Sequence, residues 1–266
     1  FWEASHVTVR YDGTTALEDV SFQLTAGEQV AVVGPNGAGK STLFKVIAGV
    51  LEPKIKSRYP RHKSPGGHIC IAYVSHRMKR QIVFALNVTD VVMMGRSGRL
   101  GLLRRPRRRD REYVRQCLEV VDMADLAGRQ IGELSGGQQQ RMFVARALAQ
   151  EAELMLMDEP LTGLDVPAQE HIFRIMDALR ERNVTLMVAT HDLNMAAARF
   201  DRVMLLHGRL LGFGRGDEVF TADRLESAYG AQLRLVPTDD GTMAFSDVCC
   251  PADGPASIPG DGRSAR

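Results

Sequence analysis

Long apolar runs are missing from this chain of 266 residues. None approaches the ~18 residues that a membrane helix needs. The best stretch, 82–94, is interrupted by Asn87, Thr89 and Asp90. Work at a membrane would therefore go through a partner. Cysteine is scarce, with 4 residues at no regular spacing, which excludes a disulfide framework. Phe1-Trp2-Glu3 does not read as a secretory leader, so reduced thiols and a cytoplasmic setting are expected. Neither sign of charge dominates: 34 Lys and Arg face 32 Asp and Glu, a net +2 that points to no particular partner. Internal repeats and coiled-coil heptads are absent too. What remains is an ordinary globular composition, 44% hydrophobic and 25% charged, long enough for one large domain or a domain with a subdomain.

Within that background one stretch stands out. Gly34-Pro35-Asn36-Gly37-Ala38-Gly39-Lys40-Ser41-Thr42 fits G-x-x-x-x-G-K-[ST]. The apolar run 29–33 before it reads as a buried strand. Leu43, Val46 and Ile47 after it have helical spacing, and Gly49 is placed to stop that helix. Strand, glycine-rich loop and helix form a phosphate cradle. The glycines let backbone N–H groups turn inward, and the helix N-terminus adds about half a positive charge. Lys40 is expected to reach the β- and γ-phosphates of a nucleotide, and the Ser41 hydroxyl to ligate Mg²⁺.

The rest of the chain supplies a matching frame. Val7, Val9 and Tyr11 alternate, then Leu17, Val20, Phe22 and Leu24 follow a turn at Asp12-Gly13, giving short antiparallel strands. Apolar runs at 154–157, 186–189 and 203–206 alternate with a helical pattern over 167–183, whose Ile172, Ile175, Met176 and Leu179 share one face. This predicts an α/β chain with a parallel sheet covered on both faces, of the P-loop NTPase, RecA-like kind. Residues 85–150 read as an inserted helical subdomain. From Pro237 to 266, Pro, Gly, Ser and Asp dominate, and that tail is expected to lack regular structure.

Two further stretches carry chemistry. The run 154–157 ends in Asp158-Glu159: Asp158 is placed to orient Mg²⁺, and Glu159 to polarise a water for in-line attack on the γ-phosphate. Ser135, Gly136, Gly137 and Gln138 open a helical run and make a second anion site. One nucleotide does not need two such sites from one subunit, so the second would complete the site of another copy.

In this order, Gly34–Thr42, Leu134–Gln138, Leu154–Glu159 and His191 resemble an ATP-binding cassette (ABC) ATPase, over roughly Val7–Val236, within an expected ATPase domain of 1–236. The resemblance implies ATP and Mg²⁺ as cofactors and a nucleotide-sandwich homodimer. Membrane permease subunits would be partners, at the cytoplasmic face of the membrane and with no nucleic acid. It also implies that Tyr11 stacks on the adenine, that Asp165 touches the other protomer, and that His191 contacts the γ-phosphate. Asp90–Arg96, Leu102–Pro106, Asp110-Arg111 and Arg129–Leu134 are similar to ATPase subunits of manganese, zinc and iron(II) importers, which work with an extracytoplasmic metal-binding protein. Cassettes of iron–siderophore and cobalamin importers are the nearest rivals, and a poorly hydrolysing regulatory cassette is another. A soluble cassette for DNA repair or translation would carry a coiled-coil insertion or two cassettes.

Departures from the pattern are few. The family has Tyr-Val-Pro-Gln where this chain has Tyr73-Val74-Ser75-His76, and histidine is a poor ligand for hard Mg²⁺. His76 therefore stands as a questionable Mg²⁺ ligand. Residues 54–67 read as a variable basic loop. His62, His68, Cys70 and His76 fit no closed zinc spacing, and Cys249-Cys250 read as free thiols. The run Arg104–Arg111 reads as a solvated face, with anionic lipid headgroups or a partner subunit as the alternatives.

Overall fold

The computed structural model describes residues 2–11, 13–51, 70–75, 86–101 and 105–230, and the backbone of 233–237 and 243–247. His76, residues 54–67 and most of 237–266 lie outside the described residues.

The chain opens with an antiparallel pair, β1 (Trp2–Tyr11) and β2 (Thr14–Leu24). Trp2, Ala4, Val7 and Val9 on one strand and Leu17, Val20, Phe22 and Leu24 on the other are buried, so the two-residue alternation slips once on each. Both slips are bulges: His6 has φ 54° and Asp19 φ 52°. Side-chain hydroxyls take up the backbone N–H groups that the bulges turn out, Ser21 Oγ accepting from His6 at 2.8 Å and Thr8 Oγ1 from Asp19 at 3.0 Å.

Next come β3 (Gln29–Val33), α1 (Lys40–Ile47) and β4 (Ile71–Val74). A helical layer follows with α2 (Val88–Met94), α3 (Ser97–Leu100), α4 (Arg108–Val120), two short 3₁₀ turns and α5 (Gly136–Ala149). The chain then alternates through β5 (Leu154–Asp158), α6 (Val166–Glu181), β6 (Thr185–Thr190), α7 (Leu193–Arg199) and β7 (Arg202–His207). It closes with β8 (Arg209–Gly214), α8 (Gly216–Val219), α9 (Ala222–Tyr229), β9 (Leu233–Pro237) and β10 (Met243–Asp247).

The main sheet has the order β4-β5-β6-β3-β7-β8, all parallel except β8. Its central strands are continuous apolar runs because both faces are covered. Ala31, Val33, Met155, Met157, Leu186, Val188, Val203 and Leu205 point to one core, shared with α5, α6 and the helical layer. Val30, Val32, Leu154, Leu156, Met187, Ala189, Met204 and Leu206 point to the other, closed by α1 and the β1–β2 pair. Truncating one of these buried Leu or Met side chains to alanine costs about 2–5 kcal/mol. The antiparallel edge strand β8, with Gly212 and Gly214, carries no apolar alternation and is a feature the sequence did not reveal. β9 and β10 pair antiparallel. Met243–Asp247 is thus a strand inside the segment where composition predicted no regular structure, because pairing with β9 satisfies its backbone.

Among the described residues no helix is long and apolar enough to cross a membrane, and no cluster of three or more His, Cys, Asp or Glu could hold a metal ion.

Candidate nucleotide site

Parallel pairing puts the carboxyl ends of β3, β5 and β6 at one level. Val33 sits beside Thr190, and Asp158 beside Ala189. The loop Gly34–Gly39, the pair Asp158–Glu159 and the turn Thr190–His191 therefore leave the sheet from the same edge, where ligands bind in such folds.

The loop 34–39 is tightly constrained. A Cβ on Gly34 would lie 2.1 Å from the Leu206 carbonyl oxygen, and one on Gly39 would lie 2.7 Å from that of Ala16. Gly39 has φ 97° and forms the N-cap of α1 without any side-chain cap. The first turn of α1 carries no acidic residue. Its end is thus left with unsatisfied N–H donors and the positive pole of the helix dipole. Three other helix starts contrast with it. Ser135 caps α5, Asp165 caps α6 and Asp192 caps α7, each accepting from a backbone N–H three residues on.

Lys40 is buried, 6% exposed, and its Nζ donates to the Gly34 and Pro35 carbonyls at 2.5 and 3.0 Å. Burial lowers its pKa below the ordinary lysine value, and the nearby charges of Glu159 and Asp158 oppose that shift. An ammonium folded onto its own loop can be transferred to a phosphate without losing hydrogen bonds. Asn36 and Gly37 at the tip of the loop and Ser41 at the start of α1 are exposed; Pro35 and Thr42 are half-buried, and Ala38 is buried beneath them.

Asp158 and Glu159 are half-buried at the end of β5. The Tyr73 hydroxyl on β4 donates to Asp158 Oδ2 at 3.1 Å. Glu159 has φ 50°, and its N–H donates to the Ala189 carbonyl at 3.0 Å. That left-handed backbone turns the chain sharply after β5. Thr162 Oγ1 donates to Glu159 Oε2 at 3.4 Å. Glu159 and the exposed His191 both line a cavity of about 390 Å³, together with Thr162, Gly163, Phe173 and Met195. Tyr11 is 43% exposed at the end of β1, paired with Thr14. The same hairpin end brings Ala16 and Leu17 against Gly39, so Tyr11 belongs to the neighbourhood of the glycine loop.

Ser135 and Asp165 form a second group. Ser135 and Gln138 close a reciprocal cap: the Gln138 N–H donates to Ser135 Oγ at 3.3 Å, and the Ser135 N–H donates to Gln138 Oε1 at 2.9 Å. A Cβ on Gly137 would approach Ala168 at 3.2 Å, so the starts of α5 and α6 lie side by side. Ser135, Gly136 and Asp165 are exposed. α5 packs chiefly on α2, α4, β4 and α6 rather than on α1. The structure thus brings Lys40, Ser41, Asp158, Glu159 and His191 to one sheet edge and sets Ser135 and Asp165 at the adjacent starts of α5 and α6. His76 lies outside the described residues. Tyr73 was missed as a functional residue, although it opens the Tyr73-Val74-Ser75-His76 stretch already singled out.

Comparison with known proteins identifies the family of the chain. The ABC transporter family profile matches residues 17–162. The manganese transport system ATP-binding protein MntB of Bacillus subtilis is 42% identical over 237 residues, 88% of this chain and 94% of the relative. The chelated iron transport system membrane protein YfeB of Yersinia pestis is 43% identical over 247 residues, 91% of this chain and 83% of the relative. Among solved structures, an inward-facing metal-chelate type ABC transporter superposes with a TM-score of 0.78 at 27% identity, covering 93% of this chain and 97% of that one.

Proposed function

The chain belongs to the ABC transporter family, and from that premise we propose that it is the ATP-hydrolysing subunit of an importer for a divalent transition metal. Manganese, zinc and iron are the candidate ions. Two of its relatives carry manganese and chelated-iron transport names. The observation that carries the ATP reading is the uncapped start of α1 behind Gly39, with buried Lys40 on the loop and Asp158, Glu159 and His191 at the same sheet edge. An anion with several phosphates fits that combination, because the helix end lacks any protein acid to satisfy it.

In this reading the backbone N–H groups of 37–42 hold the phosphates and Lys40 moves from the Gly34 and Pro35 carbonyls to the β- and γ-phosphate oxygens. Tyr11 stacks on the base. Glu159, turned toward the cleft by its left-handed backbone, accepts the proton of the attacking water. His191 donates to the γ-phosphate. The donor set at the cleft consists of hard oxygens, Ser41 Oγ and the Asp158 carboxylate, which suits Mg²⁺. Bound there, Mg²⁺ would neutralise phosphate charge. Ser135 and Asp165, exposed at the starts of α5 and α6, serve the nucleotide of a second copy in a homodimer. The permease subunits and an extracytoplasmic metal-binding protein complete the importer.

The test is metal uptake by cells or proteoliposomes containing this chain and the permease encoded with it. ATP-dependent accumulation of manganese, zinc or iron(II) that disappears with Lys40→Ala is the expected result. Uptake of an iron–siderophore or cobalamin in place of the free ions would transfer the assignment to that importer class. ATP-independent accumulation would overturn the reading.

A further inference from the structure

The start of α4 carries positive charge against its own helix dipole. Arg107 is its N-cap, Arg108 and Arg109 open its first turn, and Arg111 follows. All four are exposed, and so is Arg105 just before them. A helix N-terminus favours anions, so these side chains oppose local stability. The acid of that first turn, Asp110, is buried and faces inward: it accepts from the Arg107 N–H at 2.9 Å and pairs with Arg96 at 3.2 Å.

Among the described residues, the nearby acids that form salt bridges form them with other arginines, and Arg108 and Arg109 act on Glu112 and Asp110 only through longer-range charge. Glu112 and Glu119 both pair with Arg115, at 2.6 Å each. Glu151 pairs with Arg96 and Arg99. Among the described residues no salt bridge engages Arg105, Arg107, Arg108, Arg109 or Arg111. The Arg96–Asp110 pair also pins the end of α2 to the start of α4. Met94, the last residue of α2 and two positions before Arg96, is a large apolar side chain left 43% exposed. Exposed arginines that form no salt bridge match the headgroup chemistry of an anionic phospholipid surface. Guanidinium groups pair with phosphate oxygens. A nucleic-acid face fits less well, since no aromatic side chain is interleaved among these arginines and the whole chain is near neutral.

We propose that the Arg105–Arg111 face docks on anionic lipid headgroups of the membrane that holds the permease, orienting the helical layer toward the bilayer. The proposal rests on the importer reading only for the presence of that membrane.

The test is co-sedimentation of the intact chain with vesicles of phosphatidylglycerol and phosphatidylcholine, against vesicles of phosphatidylcholine alone, at about 0.1 M salt where screening is moderate. Preferential binding to the anionic vesicles is expected, and it should weaken as salt rises. Each arginine near the surface contributes about fivefold to partition. Substituting Arg107, Arg108, Arg109 and Arg111 together by Gln should therefore lower partition more than a hundredfold, while the four Lys substitutions should retain most of it. Equal binding to both vesicle types would overturn the proposal, as would unchanged binding of the Gln variant. Displacement of the chain from vesicles by duplex DNA at equal phosphate concentration would overturn it in favour of a nucleic-acid face. ATP binding measured on the same preparations reports separately on the cassette reading. Its loss with vesicle binding intact would sink that reading and leave the lipid face standing.

Discussion

Tyr73 holds Asp158: its hydroxyl donates to Oδ2 at 3.1 Å across neighbouring parallel strands. The ring itself is fixed edge-on against Phe44, with centroids 6.4 Å apart. Tyr73→Phe keeps that ring contact and removes the hydroxyl that donates to Asp158. A hydrogen bond to a charged group contributes about 1.5–3 kcal/mol at most, less for a half-exposed partner. Binding of ATP with Mg²⁺ should weaken about five- to tenfold, while Mg²⁺-free ATP binding and the melting temperature stay close to wild type. Equal losses with and without Mg²⁺ would assign Tyr73 a packing role alone.

Glu159→Gln preserves shape and the hydrogen bond from Thr162 while removing the base. Hydrolysis should fall by ~10²–10⁴ with ATP binding retained. The chain should then accumulate as an ATP-held dimer, visible by size-exclusion chromatography with ATP and not with ADP. Turnover at the wild-type rate would remove Glu159 from the chemistry.

Ser135→Arg probes the second surface. In the single chain Ser135 only caps α5, a role whose loss costs about 0.5–2 kcal/mol. The isolated subunit should therefore still bind ATP at Lys40. ATP-dependent dimerisation and hydrolysis should both be lost, because the bulky cation blocks the face that meets the other copy's nucleotide. Dimerisation of the variant at wild-type ATP concentrations would refute the shared site.

Gly34→Ala tests the loop itself. Its Cβ would overlap the Leu206 carbonyl, a backbone atom of β7 that cannot swing away. Nucleotide affinity should fall by two orders of magnitude or more, with a lower melting temperature, as expected for a strained backbone position. Gly37→Ala is the comparison: no atom lies within 4 Å of its Cβ, so it suffers only the strain of φ 84°. Equal effects would mean that φ strain rather than the close approach matters at Gly34.

The parts legible in the sequence were those whose chemistry is written in local spacing. The loop 34–42 needs its glycines and Lys40 at fixed offsets. The strand 154–158 ends in acids, and Ser135–Gln138 opens a helix with its own cap. Burial on both faces gave the strands as unbroken apolar runs. What stayed hidden depends on contacts across the sheet. Tyr73 gains its contact from a residue 85 positions away in sequence. The bulges at His6 and Asp19 need both strands to be paired before either has a reason to exist. β8 and β10 exist through antiparallel pairing rather than through a pattern of their own.

Cys117 supplies a pH-dependent prediction. It is 1% exposed on α4 in the core beneath the helical layer. Burial pushes its thiol up to about 11, from 9.0, against the lowering influence of Arg182 and Arg96. The folded pKa is raised, so the protonated thiol contributes its full stability below pH 9, where both folded and unfolded chains keep the proton. Between pH 9 and 11 the unfolded chain loses that proton while the folded chain holds it, and stability falls by on the order of 2–3 kcal/mol. Lysine and tyrosine titrations overlap this window, so the comparison must be with Cys117→Ala. That variant is less stable at neutral pH because of the cavity it leaves, and it lacks the thiol component. The stability difference between the two proteins should therefore shrink from pH 9 to 11, and thiol reagents should leave Cys117 unmodified in the folded chain at pH 8. A difference that stays constant to pH 11 in denaturant melts would show that the thiol is not held neutral by burial.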